Sequence, residues 1–187
     1  NHVQFSASES GELGFQAAKS HDIVPIERCL LLHPLLDEMH SVLDLDWPEL
    51  RRLILRAGVH TDERMCIFEA EDDDAPELEV DLPLSCLLRV RGGDAVLIGS
   101  SAYHEILGGQ AYRISSSSFF QVNTAQAEVL LDVVHAYLDP HVEDTVLDLY
   151  CGVGALGLAI ADKVGQVIGI EEHAAAVADA RANRDSR

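Results

Sequence analysis

The chain has 187 residues, enough for one large domain or two small ones, and 48% of them are apolar, so it is no disordered tail. Acidic residues number 32 against 13 basic ones, of which only Lys19 and Lys163 are lysines, and the net charge of −19 argues against a general nucleic-acid binder, which needs a basic face. No apolar run of about 18 residues exists to span a bilayer, the polar residues 1–10 lack the order of a signal peptide, and four scattered cysteines without a CxxC pair fit a reduced, cytoplasmic protein.

Taken in order, the first hundred residues read as antiparallel β-structure with interrupting helices. Residues 2–7 alternate through Val3, Phe5 and Ala7 and predict a strand. Ser10-Gly11-Glu12 supplies a turn, and residues 14–18 return as the second arm of a hairpin. Leu35, Met39, Val42 and Leu43 are spaced for a helix over 34–45, with Pro34 in its first turn. Residues 50–60 and 64–69 predict paired strands, residues 71–76 a solvated acidic loop, and 95–98 a short strand.

The remaining residues change character. Residues 112–115 and 119–122 are expected as short extended segments. Asn123 to Gln126 reads as a capping box opening a helix that runs to about Leu138, with Leu130, Val133, Val134 and Tyr137 on one face, and Pro140 stops it. A buried strand over 145–149, a glycine loop, a helix over 155–163, a second buried strand over 166–170 and an alanine-rich helix over 173–183 follow. This order predicts a βαβα unit with a parallel pair.

The glycine loop carries the strongest chemical signal. Gly152, Gly154 and Gly157 satisfy GxGxxG after a predicted strand and before a predicted helix, the context in which glycines let backbone approach a ligand. Glu171 stands at the end of the next strand, where a carboxylate can take both hydroxyls of a ribose. Asp148, four residues before Gly152, repels a pyrophosphate and suits a cationic ligand with an amino group and a sulfonium, S-adenosylmethionine. A dinucleotide-dependent oxidoreductase segment is the alternative that Asp148 opposes, and a non-catalytic interaction module with a vestigial donor pocket is another.

The segment Phe119-Phe120-Gln121-Val122-Asn123, then a helix, then Asp148-Leu149-Tyr150-Cys151-Gly152-Val153-Gly154, resembles the RNA (uracil-5-)-methyltransferases, which make 5-methyluridine in 23S rRNA and in the tRNA T-loop. Asn1-His2-Val3-Gln4-Phe5, Gly14-Phe15, the run Ile23-Val24-Pro25-Ile26-Glu27-Arg28-Cys29, Leu107-Gly108-Gly109 and Arg113-Ile114-Ser115 are similar to family segments too, with a weaker stretch between Asp44 and Asp94. The resemblance implies a mixed α+β and α/β fold: a mixed, largely antiparallel RNA-contacting domain over residues 1–110, then over 111–187 the first half of a Rossmann-like methyltransferase domain.

It implies that Gln121 touches the donor or the target uridine, that Tyr150 and the backbone of Gly152, Gly154 and Ala155 line the donor pocket, and that Glu171 holds the ribose. It also implies that the family's nucleophilic Cys and general base lie downstream of the glycine loop, so that Cys151 is not the nucleophile and this chain is a catalytically incomplete fragment. Cys29 matches the fourth ligand of a 4Fe–4S cluster found in some members. A cluster needs four thiolates, so it is expected in the intact protein only. The expected partner is RNA, 23S rRNA ahead of tRNA, with no membrane. Residues 1–110 hold 21 acidic and 8 basic residues and 111–187 hold 11 and 5, so neither part is basic. Arg51, Arg52 and Arg56, and Arg89 with Arg91, are the clusters expected to serve phosphates. A two-stranded parallel sheet leaves raw edges, for which self-association is expected.

Overall fold

Val3 and Phe5 point into one core from a strand, β1 (His2–Ala7), because alternate side chains of extended backbone fall on the same face. A computed structural model describes residues 1–8, 10–43, 45, 47–72, 75 and 78–187. Its contacts group into two units, Asn1–Ser101 and Ala102–Arg187.

In the first unit β1 pairs antiparallel with β2 (Leu13–Gln16) and with β4 (Leu50–Ala57), and β2 pairs with β3 (Ile23–Pro25). On the other side β4 pairs antiparallel with β5 (Arg64–Ala70), β5 runs parallel to β6 (Ser85–Val90), and β6 pairs antiparallel with β7 (Gly93–Ile98). The sheet order is β3-β2-β1-β4-β5-β6-β7. Helix α1 (Pro34–Ser41) places Leu36 and Met39 on this sheet among Phe5, Leu53, Leu55, Trp47 and Phe68. It starts at Pro34 as predicted and stops four residues early. Leu43 and Leu45 reach the core from the following loop instead. Strands β3 and β6 carry no clear alternation and were not expected. Cys86, Leu87 and Leu88 of β6 are consecutive and all buried, so a period of two is absent. Of the acidic loop over 71–76, residues 73, 74 and 76 lie outside the described residues.

The second unit begins with a hairpin of β8 (Ala102–Leu107) and β9 (Gln110–Ser115). Its two-residue turn is Gly108-Gly109, both at positive φ (58° and 80°), the backbone that such turns need. Residues 119–122, expected as extended, form no strand. Helix α2 (Thr124–Leu138) is capped by Asn123, whose side chain accepts from the Gln126 N–H at 3.1 Å, and it ends on Asp139 in the left-handed region. Then come β10 (Thr145–Leu149), α3 (Ala155–Ile160) with a 3₁₀ turn over Ala161–Lys163, β11 (Gln166–Ile170) and α4 (Ala174–Asp185). β10 and β11 are parallel, in register Asp148 to Gly169.

One sequence expectation needs correction here. β10 and β11 were expected to be buried, yet Leu147, Leu149, Ile168 and Ile170 are each roughly half exposed. Helix α3 packs on the pair, and these four side chains, which share one face, stay open to solvent. The apolar face of α2 through Leu130, Val133 and Tyr137 is likewise exposed, while the helix buries Thr124 and Ala127. No helix is long and apolar enough to cross a membrane among the described residues.

Candidate functional site

The turn after β10 is built on left-handed backbone. Tyr150, Gly152 and Gly154 have φ of 60°, 55° and 88°. Glycine adopts this region without cost; Tyr150 does so against its Cβ, at about 1–2 kcal/mol. Its side chain is 88% exposed, so packing does not compensate the strain. Strained non-glycine backbone of this kind clusters at functional sites, which marks the turn as a candidate.

Gly157 and Gly169 are needed for space. A Cβ on Gly157 would lie 2.8 Å from Asp148 Oδ2 and 3.0 Å from Val167 Cγ1. A Cβ on Gly169 would lie 2.9 Å from Cys151 Sγ. The closeness at Gly157 lets its N–H donate to Asp148 Oδ2 at 2.9 Å, which fixes the carboxylate at the end of β10. Burial nevertheless pushes the Asp148 pKa up, and this hydrogen bond only partly opposes it.

Glu171, at the end of β11, is held by backbone. Its Oε1 accepts from the N–H groups of Glu172 and His173 at 2.9 and 2.8 Å, and its Oε2 from Gly152 N–H at 2.9 Å. The bonds from His173 and Gly152 keep its pKa below the usual range, slightly opposed by burial. Among the described residues no Arg or Lys pairs with either carboxylate. The mouth of the turn is therefore a site of negative charge set by N–H dipoles. It fits a cationic ligand and does not fit a pyrophosphate.

Cys151 lies between these acids. Burial, then the charges of Asp148 and Glu171, push its thiol pKa up, the wrong direction for a nucleophile. Its N–H donates to Ile170 O at 3.0 Å, so the residue joins the turn to β11.

Gln121 stands exposed in the irregular segment 116–123 beside exposed Phe119. Phe120 is buried, with its ring centroid 6.1 Å from that of Tyr112, and the Tyr112 hydroxyl donates to Ala155 O at 3.2 Å. The Gln121 segment is thus one side chain removed from the start of α3. Burial pushes the Tyr112 pKa up to about 12.

Sequence reasoning missed the polar face of α4. Asp179 and Asn183 are buried and tie the helix to β9, to residue 118 and to the turn. The alanine-rich pattern hides it, although two polar residues four apart share a helix face and are the available signal.

The cysteines do not assemble. Cys29 is half-buried in the loop between β3 and α1. Cys66 and Cys86 are register partners in β5 and β6, and burial, followed by the hydrogen bond its thiol donates to Cys86, pushes the Cys66 thiol up. Among the described residues no group of three or more His, Cys, Asp or Glu side chains is placed to hold a metal. The residues present do not fit an iron–sulfur cluster. Three of the five arginines expected to meet phosphates face a carboxylate, and Arg91 is exposed. Arg51 pairs with Glu71 at 2.7 Å, Arg52 lies 3.7 Å from Glu69, and Arg89 makes a two-pronged bond to Asp94. Arg56 is largely buried.

A model of the family described as tRNA (uracil-5-)-methyltransferase matches residues 105–187. An uncharacterised RNA methyltransferase of Streptomyces avermitilis is 35% identical over 188 residues, covering 97% of this chain and 43% of that protein. One from Enterococcus faecalis is 30% identical, covering 92% and 45%. The chain spans under half the length of these curated relatives. The crystal structure of Pyrococcus abyssi tRNA (uracil-54, C5)-methyltransferase in complex with S-adenosyl-L-homocysteine is similar over 100% of this chain and 52% of that one, with a TM-score of 0.77 and 24% identity. At that identity the likeness speaks for the fold alone.

Proposed function

The chain belongs to the RNA (uracil-5-)-methyltransferase family, and from that premise we propose that it holds S-adenosylmethionine for methyl transfer to C5 of a uridine in RNA. The observation that carries this reading is the pair of carboxylates, Asp148 and Glu171, at the ends of adjacent parallel strands around a left-handed glycine turn, with only backbone N–H groups as partners. When bound, the donor supplies a methyl group made electrophilic by a sulfonium. The chain's own part is to bind and orient it.

In this reading Asp148 faces the cationic end of the donor. The backbone of Gly152, Gly154 and Ala155 lines the pocket, and exposed Tyr150 offers its ring to an apolar face. Glu171 takes the ribose hydroxyls. Three N–H groups already occupy most of its lone-pair positions. A ribose diol therefore replaces at least one of them, and the Gly152 N–H, on the turn itself, is the one free to move. Gln121 contacts the donor or the target base. Cys29 contributes to a 4Fe–4S cluster only in a protein that supplies three further thiolates.

The RNA we favour is 23S rRNA, on the segment from Ile23 to Cys29. The target base is unstacked from its loop, as base chemistry requires. We also propose that copies of this 187-residue chain associate through the uncovered face and edges of β10 and β11. Sedimentation velocity should then show dimers or larger species, reduced by Leu149→Lys; a monodisperse monomer would refute the association.

Calorimetry tests the donor assignment. Heat with S-adenosylmethionine and none with NADH is expected; the reverse pattern sinks it. Incubating the whole protein with labelled donor and either 23S rRNA or tRNA, followed by nucleoside analysis, tests the rest. Label in 5-methyluridine from 23S rRNA supports the proposal. Label in tRNA alone moves the substrate, and label at another base removes the C5 assignment.

A further inference from the structure

Helix α4 is mostly alanine and solvent-facing charge, yet two of its polar side chains are buried, Asp179 at 0% and Asn183 at 1% exposure. They lie four residues apart and therefore on one face. Asp179 accepts four hydrogen bonds. Its Oδ2 takes the Ser115 N–H at 2.8 Å and the Ser118 hydroxyl at 2.6 Å. Its Oδ1 takes the Ser115 hydroxyl at 2.8 Å and Nη1 of Arg113. A carboxylate has about four lone-pair positions, so Asp179 is saturated.

Asn183 behaves as a short piece of strand. Its Oδ1 accepts from the Arg113 N–H at 2.7 Å, and its Nδ2 donates to Arg113 O at 3.1 Å. The amide thereby satisfies one residue of β9 on the edge that β8 does not cover. The same Nδ2 donates to Val153 O at 3.0 Å, inside the glycine turn.

Two parts of the candidate site thus meet on one helix face. Ser118 leads directly into the segment carrying Phe119 and Gln121. Val153 lies between Gly152 and Gly154. The helix also begins beside Glu171, whose Oε1 accepts from Glu172 and His173 N–H. A slip of α4 by one turn, about 5.4 Å, would break every one of these bonds.

Burying a carboxylate and an amide is a poor way to gain stability alone, because desolvation offsets much of the attraction. An apolar helix face would hold α4 as well. What the polar pair adds is a single register. We infer that Asp179 and Asn183 are positioning residues that lock the glycine turn and the Gln121 segment into one frame, a role that rests on the reading of this site as a methyl-donor pocket. Displacing reacting groups by about 1 Å costs on the order of 100-fold in rate, so such a frame matters to turnover.

The experiment compares Asn183→Ala and Ser118→Ala with wild type in the whole protein. It measures donor affinity by calorimetry, RNA affinity, kcat and amide hydrogen exchange. Asn183→Ala is expected to weaken S-adenosylmethionine binding about tenfold and to speed exchange over residues 150–154, with RNA affinity within about twofold and exchange in the first unit unchanged. Ser118→Ala removes one hydroxyl and is expected to speed exchange over 119–123 and lower kcat, with a cooperative melt close to wild type.

Unchanged donor affinity in a folded Asn183→Ala protein would overturn the inference. So would an equal loss of donor and RNA affinity with faster exchange throughout both units, which is ordinary destabilisation. If Asn183→Ala fails to fold, Ser118→Ala decides, and unchanged exchange and kcat there would overturn it. A wild type that binds no donor refutes the reading of the site, whereas the exchange rates of 150–154 and 119–123 still uphold or overturn the anchoring.

Discussion

Asp148 does two things that pull against each other. Burial raises its pKa above the unfolded value, so the folded state disfavours the ionised carboxylate. By linkage, any stability tied to this group is present at low pH and is lost as pH rises through the interval between the two values. At neutral pH the ionised group is therefore a cost to the fold and an asset to a cationic ligand. Asp148→Asn keeps an oxygen for the Gly157 N–H and removes the charge. The melting temperature should rise at pH 7, while affinity for S-adenosylmethionine falls about tenfold or more, the loss of a charge-assisted contact. Wild-type affinity should also fall on acidification, starting above the usual aspartate range, and the variant should lack that step. Glu171, whose pKa is held down, stays ionised there and does not obscure it. A lower melting point, or an affinity insensitive to the change, refutes the assignment. Gly157→Ala belongs to the same locality. Its Cβ would press on Asp148 Oδ2 at 2.8 Å, and a loss of about 1–3 kcal/mol in urea unfolding is expected.

At the scale of elements, what the sequence revealed depended on whether one surface decided a residue's placement. Strand β1, the β4–β5 pair, the Asn123 cap of α2 and the β10-turn-α3-β11-α4 order were legible, because alternation, capping and glycine chemistry act over a few residues. Strand β6 was not, since neighbours on both sides hide the period of two. Of the β8–β9 hairpin only the second strand was legible, over 112–115, although Gly108-Gly109 marks its turn. Of the candidate site, the glycines and carboxylates were visible, whereas left-handed Tyr150 and the anchoring by Asp179 and Asn183 arise from tertiary geometry. Tyr112 of β9 offers a test of how that strand holds the turn. Its pKa, pushed up to about 12 by burial, exceeds the unfolded value, so its stabilising contribution is complete below about pH 10 and is lost as pH rises toward 12. Tyr112→Phe removes the hydrogen bond to Ala155 O and should cost about 1 kcal/mol at pH 8. Between about pH 10 and 12 the wild type should lose stability faster than the variant in urea unfolding. Parallel losses would mean that this hydroxyl is not held neutral in the fold.

For the whole molecule, the net charge of −19 and the family's RNA chemistry have to be reconciled. The arginines are where this can be decided. Arg51, Arg52 and Arg89 each face a carboxylate, and the pair of Arg89 with Asp94 is two-pronged and partly buried. A guanidinium already neutralised must give up its acid to meet a phosphate, and that exchange gains little net energy. Exposed pairs such as Arg51 with Glu71 are themselves worth under about 1 kcal/mol, so they are the ones a phosphate can recruit. Arg89 is not. The two kinds of ion pair differ in the salt dependence they give RNA binding. Each phosphate contact on single-stranded RNA contributes about 0.7 to the slope of log affinity against log salt. Arg89→Ala should therefore leave the slope unchanged and lower stability slightly. Arg51→Ala should reduce the slope by no more than about 0.7, and Glu71→Gln, which releases Arg51, should raise RNA affinity at low salt. Titrations of the whole protein with a single-stranded RNA hairpin loop at several salt concentrations check all three. A slope that drops by a full contact in Arg89→Ala would show that RNA displaces Asp94. The acidic first unit would then bind RNA by exchanging its internal ion pairs, and its fixed charge would no longer measure its affinity.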